Sequence, residues 1–171
     1  MICQLYYAIF KVDPGWMGVT GTAEGLRHIV FPQSSAREVQ SLLGDGFNSA
    51  IRSPKLFHNL TERLRAYFRG DRTDFPVKID LSGAIDFQRA VWEKARAIPY
   101  GETRSYGWLA EQIRRPGAAR AVGQALGRNP LPIIIPCHRV LAADGTLGGF
   151  SGGIGMKIRL LRLEAEHMCI T

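Results

Sequence analysis

Residues 4–12 alternate imperfectly between apolar and polar positions and are rich in Tyr, Ile and Val, which predicts a half-buried strand. Asp13-Pro14-Gly15 supplies a turn, and residues 17–22 and 26–31 read as two further strands split by Ala23-Glu24-Gly25, a hairpin-like order. Over residues 54–68 the period changes: Leu56, Phe57, Leu60, Leu64 and Phe68 recur at helical spacing. Residues 70–75 break that helix, and residues 77–81 predict a last strand.

Beyond Ser82-Gly83 the pattern is mainly helical. Asp86 is placed as a helix cap, with Phe87, Ala90, Val91, Trp92, Ala95 and Ile98 as the apolar face and Pro99-Tyr100-Gly101 as the stop. A short helix follows from Thr103 or Arg104 to Ile113, then a turn at Arg114-Arg115-Pro116-Gly117, then a second helix over 118–127. Residues 157–167 predict a final helix. The expected fold is an α/β N-terminal domain, a small antiparallel sheet plus a helix, over 1–82. A mainly helical C-terminal domain with a helix–turn–helix follows over 83–171.

Composition narrows the class. With 46% apolar and 22% charged residues in 171, the chain has the balance of a globular protein and too few long apolar runs for a membrane span. Its first ten residues lack a basic n-region, so no secretory signal is expected. The formal charge of +7 is uneven: residues 1–85 hold 10 basic and 8 acidic side chains, residues 86–171 hold 12 and 7. Such an excess either keeps a protein soluble or gathers a polyanion, of which nucleic acid is the commonest. Cys3, Cys137 and Cys169 are too few and too scattered for a disulfide framework or a zinc finger, which points to a reducing, intracellular setting.

The helix–turn–helix carries Arg104, Arg114, Arg115, Arg120 and Arg128 against Glu111. Its second helix is built from Ala118, Ala119, Ala121, Gly123 and Ala125, without the polar row that reads base edges in the major groove. Residues this small either allow close helix–helix packing or admit the helix to the narrow minor groove, with Arg120 as its long side chain. Downstream, Ile133-Ile134-Ile135 reads as a short buried strand or extended segment delivering Pro136-Cys137-His138-Arg139 to a fixed place. Cysteine attacks as a thiolate, so Cys137 is either an inert buried thiol or a nucleophile assisted by a neighbouring base. Five glycines in residues 145–153 form either a flexible loop or a wall that a flat ligand can approach closely. Glu164, on the last helix, is either an exposed helical residue or the orienting partner of a histidine.

Pro136-Cys137-His138-Arg139-Val140, preceded by Asn129-Pro130 and by Ala119-Arg120-Ala121-Val122-Gly123, closely resembles the O6-alkylguanine-DNA alkyltransferases. Pro99-Tyr100-Gly101-Glu102 leading to Ser105-Tyr106, and Phe150-Ser151-Gly152-Gly153, extend the resemblance, which is dense over 87–164 and loose over the first 80 residues. It implies a DNA-repair protein, a suicide methylated-DNA–protein-cysteine methyltransferase. A damaged nucleotide is flipped from the duplex, and its alkyl group moves irreversibly from guanine O6, or thymine O4, to Cys137. His138 would be the base through a water and Glu164 would orient it, the set yielding a thiolate at neutral pH. Tyr106 would donate to guanine N3, and Asn129 would brace the active-site turn.

The resemblance further implies a pocket formed by Leu126, Val140, Phe150, Ser151, Gly152 and Lys157, with backbone at Cys137 and Val140 reading the exocyclic amine. Tyr106, Gly107, Arg115, Ala119, Arg120, Ala121, Gly123 and Ala143 would meet DNA, Arg120 filling the space left in the stack. The implied partner is double-stranded DNA, bound from the minor groove with little sequence specificity by a cytoplasmic monomer (nuclear in a eukaryote). No cofactor is implied. Some members bind a structural zinc through Cys and His in the N-terminal domain; here Thr22 and Arg27 occupy the corresponding positions, so no metal is expected. Competing readings are a helix–turn–helix regulator, a non-catalytic lesion binder and a cysteine hydrolase.

Overall fold

The computed structural model describes residues 3–168 and divides into two compact units, residues 1–81 and 82–171. Among the described residues no helix is long and apolar enough to cross a membrane.

In the first unit β1 (Tyr6–Val12), β2 (Gly15–Thr22) and β3 (Gly25–Gln33) form an antiparallel meander joined by two-residue turns at 13–14 and 23–24. The second turn requires glycine: Gly25 has φ +149°, and a Cβ there would lie 2.7 Å from the Lys78 carbonyl oxygen. Helix α1 (Ala36–Leu42) and a 3₁₀ turn (Asp45–Ser49) follow, then β4 (Ile51–Arg52), which pairs parallel with the start of β1 and makes the sheet mixed. Helix α2 (His58–Phe68) completes the unit's regular elements.

Strand β2 is buried along nearly its whole length because helices cover both faces of the sheet. On one face Val39 and Leu43 of the α1 region pack with Val30, Tyr7, Ile9 and Trp16. On the other, α2 lies along β1 with Arg65 over the Phe10 ring at 5.6 Å, while Leu60, Leu64 and Phe68 are buried. Helix α1 was not foreseen, although Ser35-x-x-Glu38 has capping-box spacing: Ser35 Oγ accepts from Glu38 N at 3.2 Å, while the Glu38 carboxylate reaches one residue past the cap and accepts from Ser34 N at 3.1 Å.

The strand expected over 77–81 is reduced to one parallel rung. Leu26 N donates to Lys78 O at 2.9 Å and Asp80 N donates to Leu26 O at 2.8 Å, bridging Leu26 and Ile79. Pro76 just before it lacks a donor and Ser82-Gly83 follows, so no ladder extends. Thr22 and Arg27 both converge on Asp80: Thr22 Oγ1 donates at 3.5 Å, and Arg27 Nε lies 3.3 Å from the same oxygen, Oδ2. Among the described residues no three His, Cys, Asp or Glu side chains gather as a metal site.

The second unit is built from α3 (Asp86–Arg96), α4 (Tyr106–Gln112), α5 (Ala119–Gly127) and α6 (Ile154–Met168). Two short parallel strands, β5 (Arg104–Ser105) and β6 (Val140–Leu141), accompany them. Asp86 is the first helical residue and not the cap. Ile85 holds that position, its N–H donating to Gln88 Oε1 at 3.3 Å, and the Asp86 charge faces the positive end of the helix dipole. Val91, Trp92 and Ala95 of α3 are buried, and Trp92 Nε1 donates to the Ala125 carbonyl at 2.9 Å, fastening α3 to α5. Helix α4 starts later than expected, with Ser105 as its cap: Ser105 Oγ accepts from Trp108 N at 3.0 Å.

Candidate active site

The triple isoleucine is buried but does not form a strand. Ile133 has φ +74°, an uncommon conformation for a β-branched residue, and Ile133–Ile134 make a turn closed by Ile135 N donating to Leu131 O at 2.8 Å. The chain then enters a 3₁₀ turn, Cys137–Arg139, whose compact backbone buries three successive side chains. Asn129 holds this segment: its Nδ2 donates to Ile135 O at 2.8 Å and to Cys137 Sγ at 3.2 Å, and its Oδ1 accepts from Leu131 N at 2.9 Å.

Helix α6 supplies the other side. Its buried residues are Lys157, Leu160 and Glu164, a helical stripe at i, i+3 and i+7 in which two of three positions are charged. Glu164 is 1% exposed and takes four N–H contacts. His138 Nε2 lies 2.7 Å from Oε1, Arg139 Nη2 reaches Oε1 and Nε reaches Oε2, both at 2.9 Å, and Gly101 N reaches Oε2 at 3.0 Å. Arg139 Nη1 also donates to Ile98 O at 2.6 Å, and its guanidinium lies over Tyr100 at 5.6 Å.

Burial would raise the Glu164 pKa, but the hydrogen bond and charge of His138 and the Arg139 fork outweigh it and hold the carboxyl at about 2. The carboxylate therefore accepts, so His138 Nε2 carries the proton, and Nδ1, which is buried, keeps its lone pair. Burial lowers His138 below its ordinary value against the pull of Glu164, with the Arg139 and Lys157 charges adding to the lowering; the ring is neutral at pH 7. Burial pushes the Cys137 thiol up, opposed by the Asn129 hydrogen bond and the Lys157 charge. Cys137 is 4% exposed and loses more hydration than these partners return, which favours the thiol form before substrate enters.

Lys157 donates to Val140 O at 2.8 Å and to Leu147 O, and its ammonium lies 5.8 Å from the ring centroids of both Tyr106 and Phe150. Burial lowers its pKa, offset in part by Cys137. Tyr106, the first residue of α4, is raised by burial and by its electrostatic interaction with Cys137, and stays protonated at neutral pH. Gly148 lies over it with φ +65°; a Cβ there would sit 2.8 Å from Tyr106 Oη.

Cys137, His138, Glu164, Asn129, Tyr106, Val140, Lys157 and Phe150 are thus linked into one cluster. Leu126 is buried on the inner face of α5 with Val122 and Ala125. Ser151 is exposed and Gly152 half-buried in a turn, and Ala143 is exposed on another. Arg115 is exposed in the helix–turn–helix corner, and Gly107 is half-buried on α4. On α5, Arg120 and Ala121 face solvent while Ala119 and Gly123 are half-buried; a Cβ on Gly123 would touch the Tyr106 ring at 3.7 Å. Arg139 and the Gly101 amide were not foreseen as site groups. The Arg139 signal was the cation within the Cys-His-Arg run itself, whereas nothing local distinguishes an amide donor. Cys3 is exposed, and Cys169 lies outside the described residues.

A thiol held by an amide, a neutral histidine backed by a carboxylate, and an adjoining helix–turn–helix define a nucleophilic-cysteine site on a DNA-binding type of scaffold. A family profile described as "6-O-methylguanine DNA methyltransferase, DNA binding domain" matches residues 86–166. A methylated-DNA–protein-cysteine methyltransferase of Mycolicibacterium paratuberculosis is 54% identical over 115 residues, 67% of this chain and 69% of that one. Another, of Methanosarcina acetivorans, is 41% identical over 163 residues, 95% of this chain and 99% of that one. A Mycobacterium tuberculosis structure solved in complex with DNA superposes with TM-score 0.81 at 41% identity, covering 95% of this chain and 94% of its own. The chain belongs to the methylated-DNA–protein-cysteine methyltransferase family.

Proposed function

We propose that the protein repairs O6-alkylguanine, and O4-alkylthymine, in double-stranded DNA by a single irreversible transfer of the alkyl group to Cys137. The observation that carries this reading is a buried pair of hydrogen bonds on adjacent residues, Asn129 Nδ2 to Cys137 Sγ and His138 Nε2 to Glu164 Oε1. As the lesion enters, Cys137 gives its proton through a water to His138 Nδ1. Sγ then attacks the alkyl carbon, the S–C bond forms as the C–O6 bond breaks, and the electron pair leaves on the guanine. Tyr106 donates to N3 of that departing base, which finally takes up the proton that Cys137 gave up. The thioether is stable, so each molecule acts once.

The exposed face of α5, with Arg120, Ala121 and the half-buried Ala119 and Gly123, enters the minor groove. Arg120 fills the gap left by the flipped nucleotide, offsetting part of an unstacking cost of a few kcal/mol. Gly107, Arg115 and Ala143 contact the backbone. Phe150, Ser151, Gly152, Leu126, Val140 and Lys157 shape the pocket, with Ser151 near O6 and the Cys137 and Val140 backbone at the exocyclic amine. Residues 1–82 act as a support domain and 83–171 carry both DNA binding and chemistry. The protein works as a monomer in a reducing, intracellular compartment, which keeps Cys137 free, and uses no metal or cofactor.

Incubation with a duplex carrying O6-methylguanine, followed by mass analysis, tests this. One methyl group on the Cys137 peptide, absent in Cys137→Ala and reaching one equivalent without turnover, is expected. Repeated turnover would indicate a hydrolase. Tight lesion binding with an unmodified thiol would indicate a lesion binder, and preference for one undamaged sequence a regulator.

A further inference from the structure

The carboxylate that backs His138 faces more than the histidine. Arg139 meets Glu164 edge-on with two parallel N–H donors, and its third edge is tied to the Ile98 carbonyl, so the guanidinium is fixed in plane and in place. With His138 Nε2 and the Gly101 amide, four N–H groups converge on the two oxygens and fill their lone-pair directions. A proton on Glu164 would have to displace one of these donors.

We propose that Arg139 is a positioning residue for alkyl transfer: its fork keeps Glu164 an acceptor, which fixes His138 in the Nε2–H tautomer and leaves Nδ1 as the base. A neutral imidazole has one donor and one acceptor nitrogen, so the hydrogen bond at one determines the chemistry at the other. Without the fork, Glu164 and His138 share a proton, and the ring populates forms in which Nδ1 cannot accept from the thiol. The charged and titratable groups facing His138 are Glu164 and Lys157 from α6, Arg139 beside it and Cys137 before it; Tyr106 of α4 faces Cys137. Arg139 and Lys157 both disfavour a second proton on the ring, consistent with this role.

The inference rests on the proposed transfer reaction, but its first test needs no DNA. Nitrogen-15 NMR of histidine-labelled wild-type protein is expected to show His138 protonated at Nε2 and bare at Nδ1 across neutral pH; the opposite tautomer overturns the proposal. In Arg139→Gln the Nδ1 resonance is expected to move toward the protonated form. The single-turnover methyl-transfer rate should fall on the order of 10- to 100-fold. Its acid limb should shift to higher pH, because loss of the cation lets the ring hold a second proton more tightly. Arg139→Lys keeps the charge without the fork and should restore the position of the acid limb but only part of the rate. It also serves where the glutamine variant does not fold. Folded variants with wild-type tautomer and pH profile and merely a lower melting temperature would leave Arg139 structural and overturn the proposal. A wild-type protein with the expected tautomer and no methyl transfer would instead overturn the repair reaction.

Discussion

In each unit an arginine–carboxylate pair joins stretches far apart in sequence, and these two pairs do different work. In the first unit Asp80 and Arg27 touch at 3.3 Å with the arginine side chain 41% exposed; Thr22 joins them, and together they pin residues 78–80 against the start of β3. In the second, Arg139 and Glu164 form a two-point fork with side chains 10% and 1% exposed, and a histidine shares the carboxylate. Water reaches the arginine of the first pair and competes for it, although the Asp80 side chain is only 10% exposed, so the pair can hold a loop but can hardly shift a neighbour's proton. The second is buried, so removing either member leaves the other's charge without its close counter-charge. Burial turns the same ion pair from a clip into a device that decides where protons reside.

Four measurements break or sharpen this contrast. Glu164→Gln is expected to slow methyl transfer by roughly 10²–10⁴, the span lost when a general base is disabled. Asp80→Asn should leave the rate within a factor of about three; comparable losses would erase the distinction. On stability, Arg139→Met should cost about 3–5 kcal/mol in urea unfolding because it leaves Glu164 charged, buried and under-paired. Arg27→Met should cost about 0–1 kcal/mol.

A further comparison sets the buried Arg139–Glu164 pair against an exposed charge. Arg120→Ala, on the outer face of α5, should reduce repair of duplex DNA by about tenfold, roughly 1.4 kcal/mol of transition-state binding, with no change in melting temperature. Reaction with free O6-alkylguanine bases should lose less, since no stack needs filling. Equal loss on both substrates would remove Arg120 from that role.

The remaining effect is in acid. Glu164 is held at about 2 in the folded protein against an ordinary 4.5. A depressed carboxyl contributes its stability in full above the unfolded value and loses it as pH falls from about 4.5 toward 2. The wild-type stability should therefore fall across that window more steeply than that of Glu164→Gln, as followed by urea unfolding at stepped pH. Parallel curves would refute the depression.

Much of the scaffold was legible because local patterns dictate it. The Asp13-Pro14 and Ala23-Glu24 turns, the three strands they join and the helices over 58–68, 86–96 and 119–127 follow from turn chemistry and hydrophobic period. Helix α1 was readable from Ser35 and Glu38, but at seven residues it is too short to display a period. Residues 77–81 failed for the opposite reason. Their apolar alternation is real, but a strand needs a partner edge, and only Leu26 provides one. Ile133-Ile134-Ile135 has the composition of a buried strand and is buried, yet Asn129 and the Leu131 carbonyl fold it into a turn.

The site divides in the same way. Sequence by itself determined which reactive groups are present and which stand together: Cys137, His138 and Arg139 in one run, Asn129 eight residues before the cysteine, and an α5 slim enough to approach a groove. Only the tertiary structure decided what those groups do at rest. Folding brings Glu164 to His138 and Arg139 across 26 and 25 residues of chain, sets Lys157 beneath Tyr106 and Phe150, and withdraws the thiol from water. Protonation follows from desolvation and from neighbours within a few ångströms, neither of which is a property of linear order. The same residues in an open chain would titrate at their ordinary values, with no preferred tautomer and no amide donor held against the sulfur.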